Sequence, residues 1–351
     1  MSTALTDLCR YPIVQAPMAG GASCPALAGA VSEAGGLGFL AAGYKTADGM
    51  YQEVKQVRGL TSQPFGVNLF MPQPGHADAA AVEVYRHQLS GEAAWYETPL
   101  GDPDAGRDDG YEAKLAILLD DPVPVVSFTF GCPTRDVLDA FAKAGTYTIV
   151  TVTSPEEAQA AQWAGADAVC VQGVEAGGHQ GTHKDDPAAG NAGLGLLTLL
   201  TLVRETVQLP IIATGGLMRG GQIAAALTAG AEAAQLGTAF LVCPESGANV
   251  LHKQAMTNPL FGRTELTRAF SGRPARGLVN RFLREHGPYA PAAYPEVHHL
   301  TSPLRKAAAA AGDAQGMSLW AGQGHRLCRD VPAGRLVQVL ANELAAVRGA
   351  R

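Results

Sequence analysis

Residues 169–179 read VCVQGVEAGGH, so a short apolar run ends in a glycine pair, Gly177 and Gly178, directly before His179. Because glycine has no side chain, a flat ligand can come close to the backbone there. The imidazole titrates near neutral pH and can act as a base, an acid or a hydrogen-bond donor. The alternative is a structural histidine that is hydrogen-bonded to a carboxylate such as Glu175. His179 is therefore the candidate catalytic residue.

A second histidine, His183, follows four residues later and precedes Lys184, Asp185 and Asp186. Such a charged run is typical of a solvated loop. A metal site formed by His179, His183 and the aspartates is the alternative interpretation. The spacing matches no established ligand pattern, so we expect no metal here.

Glycine clusters also follow other short apolar runs, in APMAGG (residues 16–21), TGGLMRGG (214–221) and QLGT (235–238). Backbone N–H groups without side chains, close to the start of a helix, can bind phosphate. A single glycine pair would more simply close a tight turn. Repeated clusters at equivalent places favour a phosphate-bearing ligand.

Three amide side chains lie at or near the ends of short apolar runs. They are Asn68, Gln172 and Gln235. An amide donates and accepts hydrogen bonds at once, which suits the edge of a heterocycle such as an isoalloxazine or a base. One amide in this position is usually satisfied by the backbone. Several around a candidate phosphate site favour a bound ring system.

The elements that must position these residues are short strands and Ala-rich helices. Several of the apolar runs lack polar alternation, which is typical of parallel strands covered on both faces. The predicted strands are residues 13–16, 38–41, 65–69, 125–129, 147–152, 168–172, 211–214 and 234–236. The predicted helices between them are residues 24–34, 134–144, 155–164 and 220–229.

Each of these helices ends in an Ala-Gly pair, in the phrases EAGGLGF, KAGTYTIV, WAGADAV and TAGAEAA. Glycine there takes the left-handed position that ends a helix, and the next buried strand follows. Eight strands with repeated crossovers predict the α/β class and a (β/α)8 TIM barrel, rather than a doubly wound sheet. In such barrels the active residues follow the carboxyl ends of the strands, where His179, the glycines and the amides lie.

The sequence also predicts a division of the chain. The barrel would comprise residues 1–243, with an insertion at about 72–121 that is rich in charge and turn formers. Residues 244–330 would form a mostly helical additional region, and residues 331–351 a C-terminal helix that returns to the barrel. The additions could cover one end of the barrel, or they could be surface extensions with no part in the site.

Composition limits the class of protein. The chain has 351 residues, of which 47% are hydrophobic and 17% charged, so a large core is expected. A net charge of −6 without a basic block argues against nucleic acid or an anionic membrane as partner. The six cysteines form no CxxC pair, and we expect neither a signal peptide nor a membrane-spanning segment. Free thiols in a reducing compartment, and hence a cytoplasmic protein, are expected.

Several motifs together resemble the nitronate monooxygenases, formerly called 2-nitropropane dioxygenases. They are APMAGG, GVNLF, VQGVEAGGHQG, ATGGLMRGGQIAAALTAGAEAAQLGTAFL and TRAFSGRPARGLVN. The resemblance runs from residue 11 to about residue 280 and resumes at MSLWAGQG. Members are FMN-dependent (β/α)8 barrels with an added helical part. They oxidise alkyl nitronates, such as propionate 3-nitronate, with O2 to carbonyl compounds and nitrite.

For this chain the resemblance implies an FMN enzyme, monomeric or homodimeric, that acts on a small nitronate. The histidine of the family's AGGH motif falls on His179, as a base towards neutral nitroalkanes or as a polar partner of the nitronate. The phosphate would lie at Gly216, Gly237 and Thr238. The implied FMN contacts are Met18, Ala19, Gly20, Asn68, Gln172, Gly177, Gly178, Gly215, Gly216, Gln235, Leu236, Gly237, Thr238, Trp320 and Gln323.

The segment YPEVHHLTSPLRKA matches the family only loosely, so substrate contacts from Tyr294 or Lys306 stay open. The nearest alternative function is an FMN-dependent enoyl-acyl carrier protein reductase, which shares the EAGGH turn and the phosphate glycines. APMAGG and WAGQ favour the monooxygenase. The other alternative is a flavin-binding barrel without turnover, against which the histidine behind two glycines argues.

Overall fold

The computed structural model describes residues 4–73, 77–186 and 193–349. Residues 1–3, 74–76, 187–192 and 350–351, which belong to the predicted units, lie outside the described residues. The strands are β1 (Ile13–Gln15), β2 (Gly38–Ala41), β3 (Phe65–Phe70), β4 (Val125–Thr129), β5 (Tyr147–Val152), β6 (Ala168–Gln172), β7 (Gly178–His179), β8 (Ile211–Thr214), β9 (Ala233–Leu236), β10 (Thr264–Thr267) and β11 (Ala275–Leu278).

Eight of these strands form a parallel sheet in the order β1-β9-β8-β6-β5-β4-β3-β2. Val14 of β1 forms a parallel bridge with Leu37 just before β2, which closes the sheet into a barrel. The predicted α/β class and (β/α)8 TIM barrel are therefore confirmed. The predicted bounds of the eight barrel strands agree with the observed ones to within one residue at each end.

Burial and capping explain these elements. Every residue of β3 and of β5 is buried, as expected for strands covered by side chains within the barrel and by helices outside it. Helices α6 (Arg135–Ala144) and α7 (Pro155–Ala164) both end at glycines with left-handed backbone, Gly145 at φ 78° and Gly165 at φ 98°. The Ala-Gly pairs at these two positions act as the predicted helix ends.

The remaining helices divide into those around the barrel and those added to it. Around the barrel lie α1 (Pro25–Glu33), α2 (Ala47–Leu60), α5 (Tyr111–Asp120), α8 (Leu196–Thr206), α9 (Gly220–Thr228) and α13 (Ala333–Gly349). The added helices are α3 (Ala79–Gln88), α4 (Ser90–Trp95), α10 (Val250–Thr257), α11 (Arg281–His286) and α12 (Glu296–Ala310). Helix α13 packs against α1 and α9. No described helix is long and apolar enough to cross a membrane.

The segment between β3 and β4 has two parts. Helix α5 packs against α2 and α6 and belongs to the ring of helices around the barrel. Helices α3 and α4 instead share one apolar cluster with the chain after residue 260, in which Tyr85 packs with Phe270, Phe282 and Leu300. The Tyr85 hydroxyl also donates a hydrogen bond to the Ala269 carbonyl over 2.7 Å. The early insertion and the late addition therefore pack as one body.

A small antiparallel sheet joins this body to the barrel. Strand β11 pairs with β10 on one side and with β7 on the other, so that Ala275 faces His179 and Arg276 faces Gly178. The AGGH segment, which the sequence suggested only as a loop after β6, is thus fixed as a short strand by residues about a hundred positions later.

Candidate functional site

A cavity of about 330 Å³ opens at the carboxyl ends of the barrel strands. This size is within the range of roughly 300–1,000 Å³ that is usual for small-molecule sites. The predicted site residues that line it are Met18, Ala19, Gly20, Asn68, Gln172, Gly177, Gly178, His179, Gly215, Gly216, Gln235, Leu236, Gly237, Thr238 and Trp320. Gln323 is not among the lining residues. Its N–H donates to the Glu175 carbonyl over 3.0 Å and ties the WAGQ segment to the turn before Gly177.

One end of the cavity presents free backbone donors. The N–H groups of Gly216, Gly237 and Thr238 have no hydrogen-bond acceptor in the described part of the chain. Gly216 has a left-handed backbone with φ 68°, and a Cβ atom there would lie 3.1 Å from the Glu175 side chain. Helix α9 begins four residues after Gly216, so its positive end faces the same region. This arrangement suits a phosphate group.

Polar side-chain atoms in the middle of the cavity are partly unused. The Asn68 Nδ2 atom donates to the Ser127 and Thr129 hydroxyls over 2.9 and 3.0 Å, whereas Asn68 Oδ1 has no partner among the described residues. The Gln235 Nε2 atom has only the Cys170 thiol, at 3.3 Å. A buried polar group without a strong partner is costly unless a ligand supplies one. These two amides therefore fit the edge of a heterocycle.

Gln172 serves mainly to hold the loop after β6. Its Nε2 atom donates to the His179 carbonyl over 3.1 Å, and its Oε1 atom accepts from the Gly181 N–H over 2.7 Å. The amide therefore fixes the backbone on both sides of Gln180. This is a different use from the one that the sequence suggested, since both ends of the Gln172 amide are engaged by protein.

The His179 ring is held at Nε2, which lies 2.8 Å from the Ser271 hydroxyl. Nδ1 has no hydrogen-bond partner among the described residues and is the nitrogen available to a substrate. Burial, aided by the positive charges of Arg273 and Arg305, lowers the pKa of His179 to about 3. The imidazole is therefore neutral near pH 7. The alternative pairing with Glu175 is wrong, because that carboxylate accepts from the Leu196 N–H at 3.0 and 3.1 Å.

His183 lies outside this cavity. The Nε2 atom of His183 is 3.0 Å from the Thr151 carbonyl oxygen, and the backbone N–H of His183 donates to the Glu157 carboxylate over 2.7 Å. Asp185 forms a two-pronged ion pair with Arg268 at 2.5 and 2.7 Å. The grouping of His179, His183 and aspartates that a metal would need is therefore not formed.

Aromatic residues enclose the space around His179. The ring centroids of Phe130, Trp320 and Tyr294 lie 5.6, 5.5 and 5.8 Å from that of the imidazole. Tyr294 is therefore in contact with His179, whereas Lys306 is exposed to solvent. A mostly apolar wall of this kind excludes water from the substrate space.

Sequence reasoning missed several lining residues, chief among them Tyr44, Phe70, His252, His298 and Arg305. Tyr44 follows Gly43 at the end of β2, so its place after a barrel strand was the available signal. His252 comes from α10 and makes a 2.9 Å hydrogen bond with the Trp320 carbonyl. Burial lowers its pKa to about 4. The residues on α12 carried no signal, because that segment matched no motif.

Tyr44 has an unusual backbone with φ 66°, which costs energy for a residue with a side chain. Its N–H donates to the Asp109 carboxylate over 2.8 Å. Lys114 is 1% exposed, and its ammonium group donates to Asp109 over 2.6 Å and to the Ala42 carbonyl over 3.0 Å. The Tyr44 ring stacks on His298 with centroids 3.9 Å apart. The segment between β3 and β4 therefore fixes one wall of the cavity.

Lys114→Met is expected to lower the free energy of unfolding by about 3 kcal/mol, because it leaves the Asp109 carboxylate without its cation. Urea denaturation followed by circular dichroism measures the change. The matched control is Lys143→Met at an exposed position of α6, which is expected to change stability by less than about 0.5 kcal/mol. A loss of less than about 1 kcal/mol for Lys114→Met would contradict the role given to this ion pair.

Comparison with known proteins gives consistent results. A sequence model of the family described as nitronate monooxygenase matches residues 2–343. The nitronate monooxygenase of Pseudomonas aeruginosa is 43% identical over 95% of this chain and 96% of its own length. A crystal structure described as nitroalkane oxidase from Streptomyces ansochromogenes superposes with a TM-score of 0.97 at 73% identity, covering 99% of both chains. FabK from Thermotoga maritima superposes with a TM-score of 0.75 at 27% identity over the whole of both chains.

Proposed function

The chain belongs to the nitronate monooxygenase family, and we propose that its cavity oxidises alkyl nitronates with O2 to a carbonyl compound and nitrite, using FMN. The observation that carries the proposal is the meeting of His179, an aromatic wall and free backbone donors in one cavity at the barrel's carboxyl end. Propionate 3-nitronate and ethyl nitronate are suitable test substrates. The 73% identity to a nitroalkane oxidase extends the proposal to neutral nitroalkanes.

The residues present fit a flavin. The free N–H groups of Gly216, Gly237 and Thr238 would hold its phosphate, and FMN is favoured because it carries a single phosphate. Asn68 and Gln235 would face the edge of the ring. The glycines leave space for a flat group against the backbone.

Bound flavin supplies the electron transfer that side chains lack. The chain's own residues bind and orient the substrate. His179 lines the cavity and its Nε2 is engaged by Ser271, so Nδ1 would remove the α-proton of a neutral nitroalkane or hold the oxygens of a nitronate. Phe130 and Trp320 keep water away from this nitrogen.

Nitrite release in air tests the proposal. The purified holoenzyme is expected to release nitrite from ethyl nitronate and propionate 3-nitronate, and to stop when O2 is removed. Chromatography of the flavin released by heat is expected to show FMN. A flavin-loaded protein that releases no nitrite from either nitronate would instead support a binding barrel. Rapid reduction of an enoyl thioester by NAD(P)H would support the reductase, which the weaker likeness to FabK does not favour.

The location, the oligomeric state and the division of the chain into units are proposed from the sequence. We propose a cytoplasmic monomer or homodimer, with its six cysteines as free thiols. We also retain the division into a barrel at residues 1–243 with an insertion at about 72–121, an additional region at 244–330 and a returning helix at 331–351. The joint packing of α3 and α4 with the late helices supports a shared covering body.

A further inference from the structure

Arg305, on α12, is the only Asp, Glu, Lys or Arg residue that lines the cavity in the described part of the chain. The other polar lining groups are amides, hydroxyls, imidazoles and backbone atoms. A site with one fixed positive charge and no carboxylate attracts an anion.

The guanidinium of Arg305 has only neutral acceptors. Its Nε donates to the Thr301 hydroxyl over 3.2 Å, and its Nη2 donates to the His298 carbonyl over 2.9 Å and to His298 Nδ1 over 3.3 Å. Nη1 has no partner among the described residues, and no described carboxylate lies within ion-pair distance of this side chain. Burial lowers the pKa of Arg305 to about 10, which still leaves it charged at neutral pH.

A second arginine near His179 shows the contrast. Arg273 is 1% exposed, and each of its nitrogens has a protein acceptor. Nε donates to the Gln180 carbonyl over 3.4 Å, Nη1 to Gln73 Oε1 over 2.6 Å, and Nη2 to the Thr182 carbonyl. Arg273 therefore holds the loop after β7, whereas Arg305 keeps donors for a ligand.

The cofactor phosphate is not the anion that Arg305 serves. The proposed phosphate donors include the N–H of Thr238. The hydroxyl of Thr238 accepts from the Gly322 N–H over 2.9 Å. Arg305 is instead bonded to His298, which stacks on Tyr44. Its charge also contributes to the lowered pKa of His179, which places it on the substrate side of the cavity.

We propose that Arg305 binds the oxygens of the substrate nitronate through Nη1 and so makes the site select the charged nitronate over the neutral nitroalkane. This inference rests on the proposed function. A nitronate carries its negative charge on two oxygens, and a guanidinium presents donors in a matching plane. The carbonyl of His298 and the hydroxyl of Thr301 hold the guanidinium in place for this contact.

The test compares Arg305→Gln, Arg305→Lys and the matched control Lys306→Gln on the same helix. Loss of a buried charged partner corresponds to at least about a 30-fold loss of binding. Arg305→Gln is therefore expected to raise KM for ethyl nitronate by at least about 30-fold, with less than about a threefold change for nitroethane. Arg305→Lys should recover part of the nitronate KM, and Lys306→Gln should match the wild type.

A binding measurement separates this inference from the proposed function. Nitrate, used as an inert planar anion, is titrated into each flavin-loaded protein while flavin absorbance is recorded. Its Kd is expected to rise by at least about 30-fold in Arg305→Gln. An active wild type whose Arg305→Gln form keeps nitronate KM and nitrate Kd within about threefold overturns the role of Arg305 alone. If Arg305→Gln does not fold, Arg305→Lys serves as the test variant. If its ratio of KM for ethyl nitronate to KM for nitroethane equals that of the Lys306→Gln control, the proposed guanidinium contact is overturned.

Discussion

Replacing His179 with asparagine is expected to lower turnover of nitroethane by about 100- to 10,000-fold, the usual contribution of a general base. Turnover of ethyl nitronate is expected to fall by less than about tenfold. The neutral substrate must lose a proton from carbon, whereas the nitronate has already lost it. Asparagine can still form a hydrogen bond to the oxygens, but it cannot accept that proton.

The geometry supports this outcome. Ser271 holds Nε2 at 2.8 Å, while Nδ1 has no partner within the described ranges. Burial lowers the pKa of His179 and keeps the imidazole neutral, so it can accept a proton only where a neighbouring anion stabilises the imidazolium. Imidazolium formation beside Arg305 is disfavoured, but the nitronate anion that the proton transfer produces in the site would offset that charge.

Nitrite release from both substrates, at matched flavin content, measures the effect. Ser271→Ala is the companion variant, because it keeps the imidazole and removes only the partner of Nε2. Its nitroethane turnover is expected to fall between those of the wild type and His179→Asn. Equal losses on nitroethane and ethyl nitronate would mean that His179 is a polar partner of the nitronate and not chiefly a base.

Gly177→Ala is expected to weaken FMN binding by at least about tenfold, which corresponds to about 1.4 kcal/mol, because the added methyl group cannot fit between two backbone segments that line the site. A Cβ atom at residue 177 would lie 2.6 Å from the Ala321 carbonyl carbon and closer still to the Gly322 nitrogen. Both are backbone atoms, so the AGGH turn and the WAGQ segment must separate. Both segments carry lining residues, Gly178 and Trp320.

Fluorescence titration of the apoprotein with FMN measures this effect. The control is Gly145→Ala at the end of α6, where φ is 78° and no atom lies within 4 Å of the added Cβ. This variant is expected to lose about 1–2 kcal/mol of stability and to keep its FMN affinity. A Gly177→Ala protein that purifies with a full complement of flavin would show that the two segments can move apart without loss of the site.

Much of the fold and part of the site could be predicted from local patterns. The apolar runs and Ala-Gly helix ends predicted the barrel strands, because burial on both faces and a left-handed helix end leave their mark on adjacent residues. Because barrel sites follow the carboxyl ends of the strands, His179, Gly216 and Gln235 were predicted to lie close together, and all three line the cavity. The family was also evident from the motifs, and the family match over residues 2–343 confirmed it.

Only the tertiary structure decided how the histidine is held and what surrounds it. The strand pairing of His179 with Ala275 and its bond to Ser271 join residues far apart along the chain, the latter 92 positions. Asp109 reaches Tyr44 across 65 positions, and Arg305 enters the cavity from a helix without a recognisable motif. A strand or a helix end is specified by its neighbours in sequence. Such long-range contacts instead depend on how separate elements pack, and no local pattern records that.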